Sequence, residues 1–339
     1  MWTLTHFWGY FVDNKQIHLF YTSNSPFGLN FYIKTLFLPI LNDIVMVVDF
    51  SIVDVFAEQK YQGNQLAVFH HANGLTDEQM LRIAREIGFQ ESTFIMSDKT
   101  VEGAYDVRIF TPEYEVPFAG HPTLGTAFVL MKESDTAITL NLKIGKVPVN
   151  VANETLWLEI NNPTFGETFG TDLARLLGIQ PEDIDETWPI QLVSTGLPYL
   201  IVPVKTLRAV QEVYLEDVAV KEWLTENKLY KTNSSDGLTV AFFVFTDETH
   251  AQVNHLHARM FCLENDKIVE DAATGSANAC LLAYLLKHEL PMIHKLVEQG
   301  YEMKRPSLIN IKGELNQEGN YTLQVGGKVQ LVAQGKWFV

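Results

Sequence analysis

Hydrophobic and polar positions follow strand-like and helix-like spacings along most of the chain. Residues 47–55 (VVDFSIVDV) and 64–69 (NQLAVF) are apolar runs on either side of a Gln-Gly-Asn turn, which predicts two strands. From Thr76 to Ile87, apolar residues recur every three to four positions, with two acidic residues at the start and Gly88 after the end. This spacing predicts an amphipathic helix with Thr76 as its N-cap. Further strands are predicted at residues 91–96 and 105–110.

A related order of elements recurs in the second half of the chain. The sequence AGHPTLGTAF (residues 119–128) aligns without a gap with AATGSANACL (residues 272–281), and Arg-Ile-Phe before the first corresponds to Arg-Met-Phe before the second. Each Gly-containing turn runs into a helix that is apolar on nearly all sides, which indicates a buried helix inside a surrounding sheet. The other elements predicted in this half are strands at residues 190–195, 199–204, 239–245 and 257–261 and a helix near residues 218–226.

These patterns predict an α+β fold of two pseudo-symmetric halves, each a mainly antiparallel β-sheet barrel around a central helix. We place the first domain at residues 46–165 and the second at residues 166–339, with the last strands able to return to the first. A helix start leaves backbone N–H groups unpaired and carries roughly +0.5 charge. Two such starts that meet in one cleft would therefore bind a small anionic substrate.

Residues 1–45 differ from the rest of the chain. They are rich in aromatic residues, and the apolar stretch at residues 31–48 is interrupted by Lys34, Pro39, Asn42 and Asp43. The segment therefore offers no clean membrane span, and it lacks the basic start and the cleavage site of a signal peptide. We expect the fold to begin near Met46, with residues 1–45 as an extension outside it, and we expect a cytoplasmic protein.

Composition and charge exclude several functional classes. The 339 residues carry a formal charge of −16, which disfavours nucleic acid and anionic membrane surfaces as partners. The two cysteines, Cys262 and Cys280, form no CxxC pattern, and no phosphate-loop or dinucleotide-binding motif is present. We interpret the histidines at positions 250, 255 and 257 as parts of a solvated loop and a strand start. The sequence thus predicts neither a metal nor another cofactor.

Four ordered segments carry a resemblance to a known family. They are VDVFAEQKYQGNQLAVF (53–69), GFQESTF (88–94), VRIFTPEYEVPFAGHPTLG (107–125) and EDAATGSANA (270–279). In these segments the chain resembles the phenazine-biosynthesis-like (PhzF) family, which shares its fold with the diaminopimelate epimerases. The resemblance implies two epimerase-like domains with the active site between them, a homodimer, and cofactor-free isomerase chemistry by general acid/base catalysis.

The resemblance also implies roles for particular residues. The catalytic carboxylate of the family falls on Glu91, the histidine of its G-H-P turn on His121, and the aspartate of its E-D-x-A-T-G-S turn on Asp271. This chain has Ala272 where the family often has Pro, which removes no chemical group. The expected substrate-binding residues lie in the same turns: Asn64, Gly120, Thr274, Gly275 and Ser276.

Each of these residues also has a purely structural interpretation. Asp271 or His121 could cap a helix, Asn64 could form a turn, and Glu91 could face solvent. We predict an isomerase that shifts a double bond or tautomerises a small carboxylate-bearing substrate. The alternatives are a non-catalytic protein that binds small acids on the same scaffold and an amino-acid epimerase. The second alternative is disfavoured because neither turn carries the thiol that the epimerase relatives use.

Overall fold

The computed structural model describes residues 5–13, 16–25, 28–37, 46–97 and 100–339, the first three ranges as backbone. Contacts divide the chain into two compact units. One comprises Met1–Val47 together with Phe338–Val339, and the other comprises Val48–Trp337. The residues that the sequence analysis assigns to catalysis and substrate binding all belong to the second unit.

The first unit contains an antiparallel sheet of three strands, β1 (Thr5–Asp13), β2 (Gln16–Ser25) and β3 (Gly28–Phe37). Strand β2 pairs with both neighbours along its whole length. This segment is the extension that we expected outside the fold, and its three strands were not predicted from the sequence. The predicted extension also covers residues 1–4, 14–15, 26–27 and 38–45, which lie outside the described residues.

Deletion of residues 1–45 should leave the second unit folded. The sheet of the second unit is closed by strands from Val47 onward, and the hydrogen bond from Val339 N to Met46 O (2.8 Å) remains in a chain that starts at Met46. We expect thermal melts of the full and shortened chains to be cooperative with midpoints within a few degrees of each other. Loss of cooperative unfolding in the shortened chain would show that the extension is required for the fold.

The second unit is built on one closed, mixed sheet in which most neighbouring strands are antiparallel. Strand β20 pairs with β11, so a strand near the C-terminus lies beside one from the middle of the chain. The strands are β4 (Val47–Val55), β5 (Asn64–Phe69), β6 (Ser92–Ile95), β7 (Tyr105–Phe110), β8 (Glu115–Val116), β9 (Ala137–Leu142), β10 (Gly145–Ala152), β11 (Thr155–Ile160), β12 (Thr164–Phe169), β13 (Ile190–Ser194), β14 (Pro198–Pro203), β15 (Ala241–Thr246), β16 (Leu256–Glu264), β17 (Lys267–Asp271), β18 (Met292–Gln299), β19 (Ser307–Leu315), β20 (Tyr321–Gly327) and β21 (Val329–Phe338).

Five α-helices pack with this sheet: α1 (Asp77–Ile87), α2 (Gly120–Leu130), α3 (Leu207–Glu212), α4 (Asp217–Glu226) and α5 (Gly275–His288). Helix α1 begins with the predicted cap, because the Thr76 side chain accepts from Gln79 N while the Gln79 side chain accepts from Thr76 N. Helices α2 and α5 are different, since apolar residues cover nearly their whole surface. They lie in the larger of two hydrophobic clusters, as the sequence predicted for buried helices.

The hairpins that precede α2 and α5 make matching contacts. In β7–β8, Arg108 forms a two-pronged ion pair with Glu115 and lies over the Phe110 ring. In β16–β17, Arg259 forms the same kind of pair with Glu270 and lies over the ring of Phe261. In both cases the glutamate comes five residues before the first residue of the helix. The repeat that the sequence indicated therefore recurs in the local contacts around the two buried helices.

Candidate active site

The first group of site residues lies at one edge of the sheet. Strands β5 and β6 are parallel, with Ala67 opposite Ser92. Asn64 is the first residue of β5 and Glu91 directly precedes β6, so both lie at the edge where these strands begin. The predicted strand from residue 91 in fact begins at Ser92. Helix α2 begins at Gly120, which places His121 in its first turn.

The second group comes from the other half of the chain and meets the first through Asn64. Asp271 ends β17, and Thr274 is the N-cap residue of α5. The Asn64 side-chain amide donates to Asp271 Oδ1 (2.7 Å) and to the carbonyl of Ala273 (3.1 Å). It also donates to Gln90 Oε1 (3.1 Å) and lies 3.5 Å from His121 Nδ1. Asn64 therefore joins segments that are about 200 residues apart in sequence.

Asp271 is held by several donors. Thr274 Oγ1 donates to Asp271 Oδ2 (2.5 Å), and Gln299 donates to the Asp271 carbonyl (2.9 Å) and to Thr274 Oγ1 (3.0 Å). Burial raises the pKa of Asp271 to about 6, although hydrogen bonds from Thr274 and other neighbours oppose the rise. The interpretation of Asp271 as an N-cap is wrong, because α5 begins after Thr274 and has no side-chain cap. Its carboxylate bonds to the turn and to Asn64 instead.

The two buried helices begin next to each other. A Cβ atom built on Gly120 would lie 4.0 Å from the Cα atom of Gly275. Neither helix has a side-chain hydrogen bond at its N-cap residue, which is Ala119 for α2 and Thr274 for α5. Unpaired N–H groups and the partial positive charges of two helix starts therefore converge at one point, where an anion would relieve their repulsion.

Glu91 and His121 face each other beside these helix starts. Glu91 Oε2 lies 3.4 Å from His121 Nε2, with 18% of the Glu91 side chain and 7% of the His121 side chain exposed. Both atoms are buried and have no hydrogen-bond partner among the described residues. Buried polar atoms without partners cost free energy, so such a facing pair indicates the place where a ligand group would bind.

Burial sets the protonation of this pair. It raises the pKa of Glu91 to about 8, and the negative charges of Asp271 and Glu264 add to the rise. Burial also lowers the pKa of His121 to about 3, although a hydrogen bond with the backbone of Gln65 acts to raise it. At neutral pH His121 is therefore an uncharged imidazole, while Glu91 is mostly protonated with a small ionised fraction. A carboxyl group with a pKa near ambient pH can both accept and return a proton.

Ser276 lies in the first turn of α5, and its hydroxyl forms a hydrogen bond of 2.7 Å with Tyr199 Oη. Burial raises the pKa of Cys280 to about 12, and burial with nearby negative charges raises the pKa of Cys262. Both thiols are therefore protonated at neutral pH. Neither cysteine lies in the turns that precede α2 and α5, so a two-thiol epimerase lacks its reactive groups here.

Sequence reasoning missed several polar residues that complete the site. Gln90 lies in the GFQESTF segment (88–94), but nothing in that sequence distinguishes it from the neighbouring Glu91 as a site residue. Gln299 is the last residue of β18, and Tyr199 lies within β14. Neither strand carries a polar motif in its own sequence, and both residues reach the site only because distant strands pair. The interpretation of the three histidines as solvated is wrong for His257, which is fully buried in β16.

The polar cluster is largely enclosed. His121, Asn64 and Asp271 are each about one-twentieth exposed. Two surface hollows lie away from this cluster, one lined by residues that include Arg108 and Lys143 and the other by residues of α4. Among the described residues, no helix is long and apolar enough to cross a membrane.

Comparison with known proteins identifies the family. The family described as phenazine biosynthesis-like protein (PhzC-PhzF) matches residues 53–335, which is most of the chain. The chain belongs to this family. The resemblance that the sequence analysis drew from four motifs is thereby confirmed.

Two relatives of this phenazine biosynthesis-like chain are named isomerases. An uncharacterised isomerase of Pasteurella multocida is 32% identical, with 86% of this chain and 94% of the relative covered. The trans-2,3-dihydro-3-hydroxyanthranilate isomerase of Pseudomonas aeruginosa is 30% identical, with coverage of 86% and 99%. The crystal structure of a PhzF-family protein from Bacillus anthracis superposes with a TM-score of 0.75 at 25% identity and covers 87% of this chain and 100% of the other. The enzyme class predicted from the sequence, an isomerase, is confirmed by these relatives.

Proposed function

We propose that this protein is a cofactor-independent isomerase. Its reaction is a double-bond shift or a tautomerisation of a small carboxylate-bearing substrate. Glu91 carries the proton, and His121 and Asp271 complete the catalytic set. The observation that supports this proposal most directly is the buried pair of Glu91 Oε2 and His121 Nε2, 3.4 Å apart, beside two helix starts. The named activity of the Pseudomonas aeruginosa relative makes a dihydro-hydroxyanthranilate the first substrate to test.

In the proposed reaction the ionised Glu91 carboxylate removes a proton from a substrate carbon, and the C–H electron pair becomes part of a shifted double bond. Glu91 then returns the proton to a carbon further along the conjugated system. With a pKa of about 8, about one Glu91 in ten is ionised at pH 7 in the free protein. The uncharged His121 faces Glu91 and can contact the substrate group that gains electron density.

The substrate carboxylate would bind between the starts of α2 and α5. Gly120 and Gly275 leave the backbone open there, and the backbone N–H groups of Gly275 and Ser276 belong to the first turn of α5. Asn64 and Thr274 hold the Asp271 carboxylate in place just before the start of α5. We also propose a two-domain, epimerase-like arrangement of residues 46–165 and 166–339, with the site between them. Because the cluster is enclosed, the two halves of the site would separate to admit the substrate.

A non-catalytic protein that binds small acids is the alternative function. The two helix starts alone would serve it, but a buried carboxyl group whose pKa is raised to about 8 weakens anion binding once that group ionises. Such a group is useful to a proton-transfer enzyme and unhelpful to a binder. A homodimer remains a prediction from the family resemblance, and a cytoplasmic location remains a prediction from the sequence.

We expect kcat/KM to rise with pH up to about 8 and then level off. The proposed base must be ionised in the free enzyme, and burial with the charge of Asp271 holds its pKa at about 8. Below that value the rate should fall about tenfold per pH unit. Asp271→Asn removes one charge that raises the pKa of Glu91, so any residual activity should show its rising limb at lower pH. A profile that is flat between pH 6 and 8 would contradict the assignment of Glu91 as base.

A further inference from the structure

A second cluster of ionisable side chains lies apart from the candidate active site. His250, His257 and Glu302 each bring one nitrogen or oxygen atom within 4.8 Å of the other two. His257 is on β16, His250 precedes that strand, and Glu302 follows β18. His255, which is close in sequence, does not join them, because its Nδ1 accepts from Leu296 N (3.1 Å).

Glu298 orients His257 within this cluster. Parallel pairing of β16 and β18 places the two residues opposite each other, and His257 Nδ1 lies 3.2 Å from Glu298 Oε2. The carboxylate also accepts from His250 N (2.8 Å), Ala251 N (2.9 Å) and Asn254 Nδ2 (2.5 Å), so it is fixed by four donors. A buried carboxylate that accepts from one ring nitrogen is the usual means by which proteins orient a histidine whose other nitrogen binds a metal.

The second nitrogen of His257 meets another carboxylate. His257 Nε2 lies 3.2 Å from Glu302 Oε1, and His250 Nε2 lies 4.0 Å from the same oxygen. With Nδ1–H directed at Glu298, the contact at Nε2 needs a second proton on the ring or a cation between nitrogen and oxygen. The other oxygen, Glu302 Oε2, is buried and has no hydrogen-bond partner among the described residues.

His250, the third member of the cluster, can adjust its position. The His250 side chain is 35% exposed and stacks flat on Tyr301, with 4.6 Å between ring centroids. Gln211 Nε2 lies 3.4 Å from His250 Nε2 and would be displaced by an ion. A tetrahedral zinc ion about 2.1 Å from each ligand atom holds those atoms about 3.4 Å apart. The His257–Glu302 pair, at 3.2 Å, is already close to this spacing. The distance of 4.0 Å from His250 Nε2 to Glu302 Oε1 must shorten by about 0.6 Å to match it.

We propose that His250, His257 and Glu302 bind one zinc-like divalent transition-metal ion, with water in the fourth position. Two imidazoles and one carboxylate suit zinc better than magnesium or calcium, which prefer oxygen ligands alone. The ion would stabilise the pairing of β16 and β18. Neighbouring residues of a strand point to opposite faces, so Glu298 supports this cluster while Gln299 supports Asp271 at the candidate active site. This inference is independent of the proposed isomerase function and revises the expectation of no metal.

The test is zinc binding to the full chain after treatment with a chelator, measured by competition with a chromophoric chelator. We expect one zinc ion per chain and a rise in the melting temperature. His250→Gln and Glu302→Gln should each weaken zinc binding at least tenfold. Both side chains are partly exposed, so we expect both variants to fold. His255→Gln, which removes an exposed histidine outside the cluster, should leave affinity unchanged.

Cobalt provides a second readout of ligand geometry. One equivalent of Co²⁺ in the same protein should give the intense visible absorption of a tetrahedral site, and His250→Gln should remove it. Absence of stoichiometric binding would overturn the proposal. Binding that is unchanged in His250→Gln and Glu302→Gln, or that is lost in His255→Gln, would also overturn it, because the ion would then occupy other ligands.

Discussion

Replacement of Glu91 by Gln should lower kcat by about 10² to 10⁴ while substrate affinity changes by only a few fold. Gln keeps the shape of the side chain and removes the proton acceptor. Affinity should persist because the proposed carboxylate anchor is formed by the starts of α2 and α5, which Glu91 does not contribute to. Turnover and calorimetric affinity measured on dihydroaromatic acids and unsaturated amino acids would separate these two effects.

Two control variants sharpen this test. Glu264→Gln removes an exposed carboxylate whose charge raises the pKa of Glu91, so kcat should stay within a few fold of the original while the rising limb of the pH profile moves to lower pH. Ser276→Ala removes the hydroxyl bonded to Tyr199 in the first turn of α5 and should mainly raise KM. If Glu91→Gln retains the original kcat, the protein does not use Glu91 as its base, and the small-acid-binding alternative becomes the better explanation.

Thermal stability gives a readout of Glu91 that does not need a substrate. The folded state holds the pKa at about 8, whereas the ordinary value is 4.5, so unfolding releases a proton between these pH values. Ionisation of Glu91 therefore favours the unfolded chain increasingly as pH rises from about 4.5 to about 8. Gln does not ionise and avoids this cost. The melting temperature of Glu91→Gln should exceed that of the original protein at pH 8.5, and the difference should shrink toward pH 5.

Solvent isotope incorporation adds a chemical test of the same role. During turnover in D₂O, the product should carry deuterium at the carbon that gains a proton, because a carboxyl group exchanges with solvent when the site opens. Retention of the original hydrogen would mean that Glu91 returns the proton before exchange, which still requires one base to act at both carbons. Deuterium in the product of Glu91→Gln at an undiminished rate would contradict the assignment.

Local sequence patterns predicted the elements that carry the site, because the signals involved are local. The bounds of β4, β5 and β7 agree with the apolar runs, and the Thr76 cap follows from the side chains of neighbouring residues. The Gly-containing turns before α2 and α5 were visible for the same reason. That these two turns meet was an inference from the internal repeat, and it agrees with the 4.0 Å between a Cβ atom built on Gly120 and the Cα atom of Gly275.

Contacts between distant segments were not predictable in this way. Asp271 precedes a helix and so looked like a cap, but Asn64, more than 200 residues earlier, takes up one of its oxygens. His257 looked like part of a solvated strand start, but parallel pairing of β16 with β18 buries it against Glu298. Parallel neighbours leave no hairpin signal, and the partner strand must be known before either contact can be inferred.

Replacement of Gly63 by Ala should cause a large loss of stability. Gly63 has a φ of +67°, and an added Cβ would lie 2.2 Å from the backbone oxygen of Val55. The turn cannot move away easily, because Gly63 N donates to Pro306 O (3.1 Å) and Gly63 O accepts from Arg305 Nε (2.9 Å). We estimate about 1–2 kcal/mol for the left-handed backbone and about 1–3 kcal/mol for the steric clash.

Gly237→Ala is the matched control for Gly63→Ala. Gly237 has a similar φ of +74° but no atom within 4 Å of an added Cβ, so its substitution isolates the backbone term. We expect Gly63→Ala to lower the melting temperature by about 5–15 °C and Gly237→Ala by only a few degrees. Because Asn64 follows Gly63 and holds Asp271, the Gly63 variant should also lose activity at temperatures where it remains folded. Equal melting temperatures for the two variants would mean that the turn yields to the added methyl group, and full activity in that case would show that Asn64 keeps its contacts when the turn shifts.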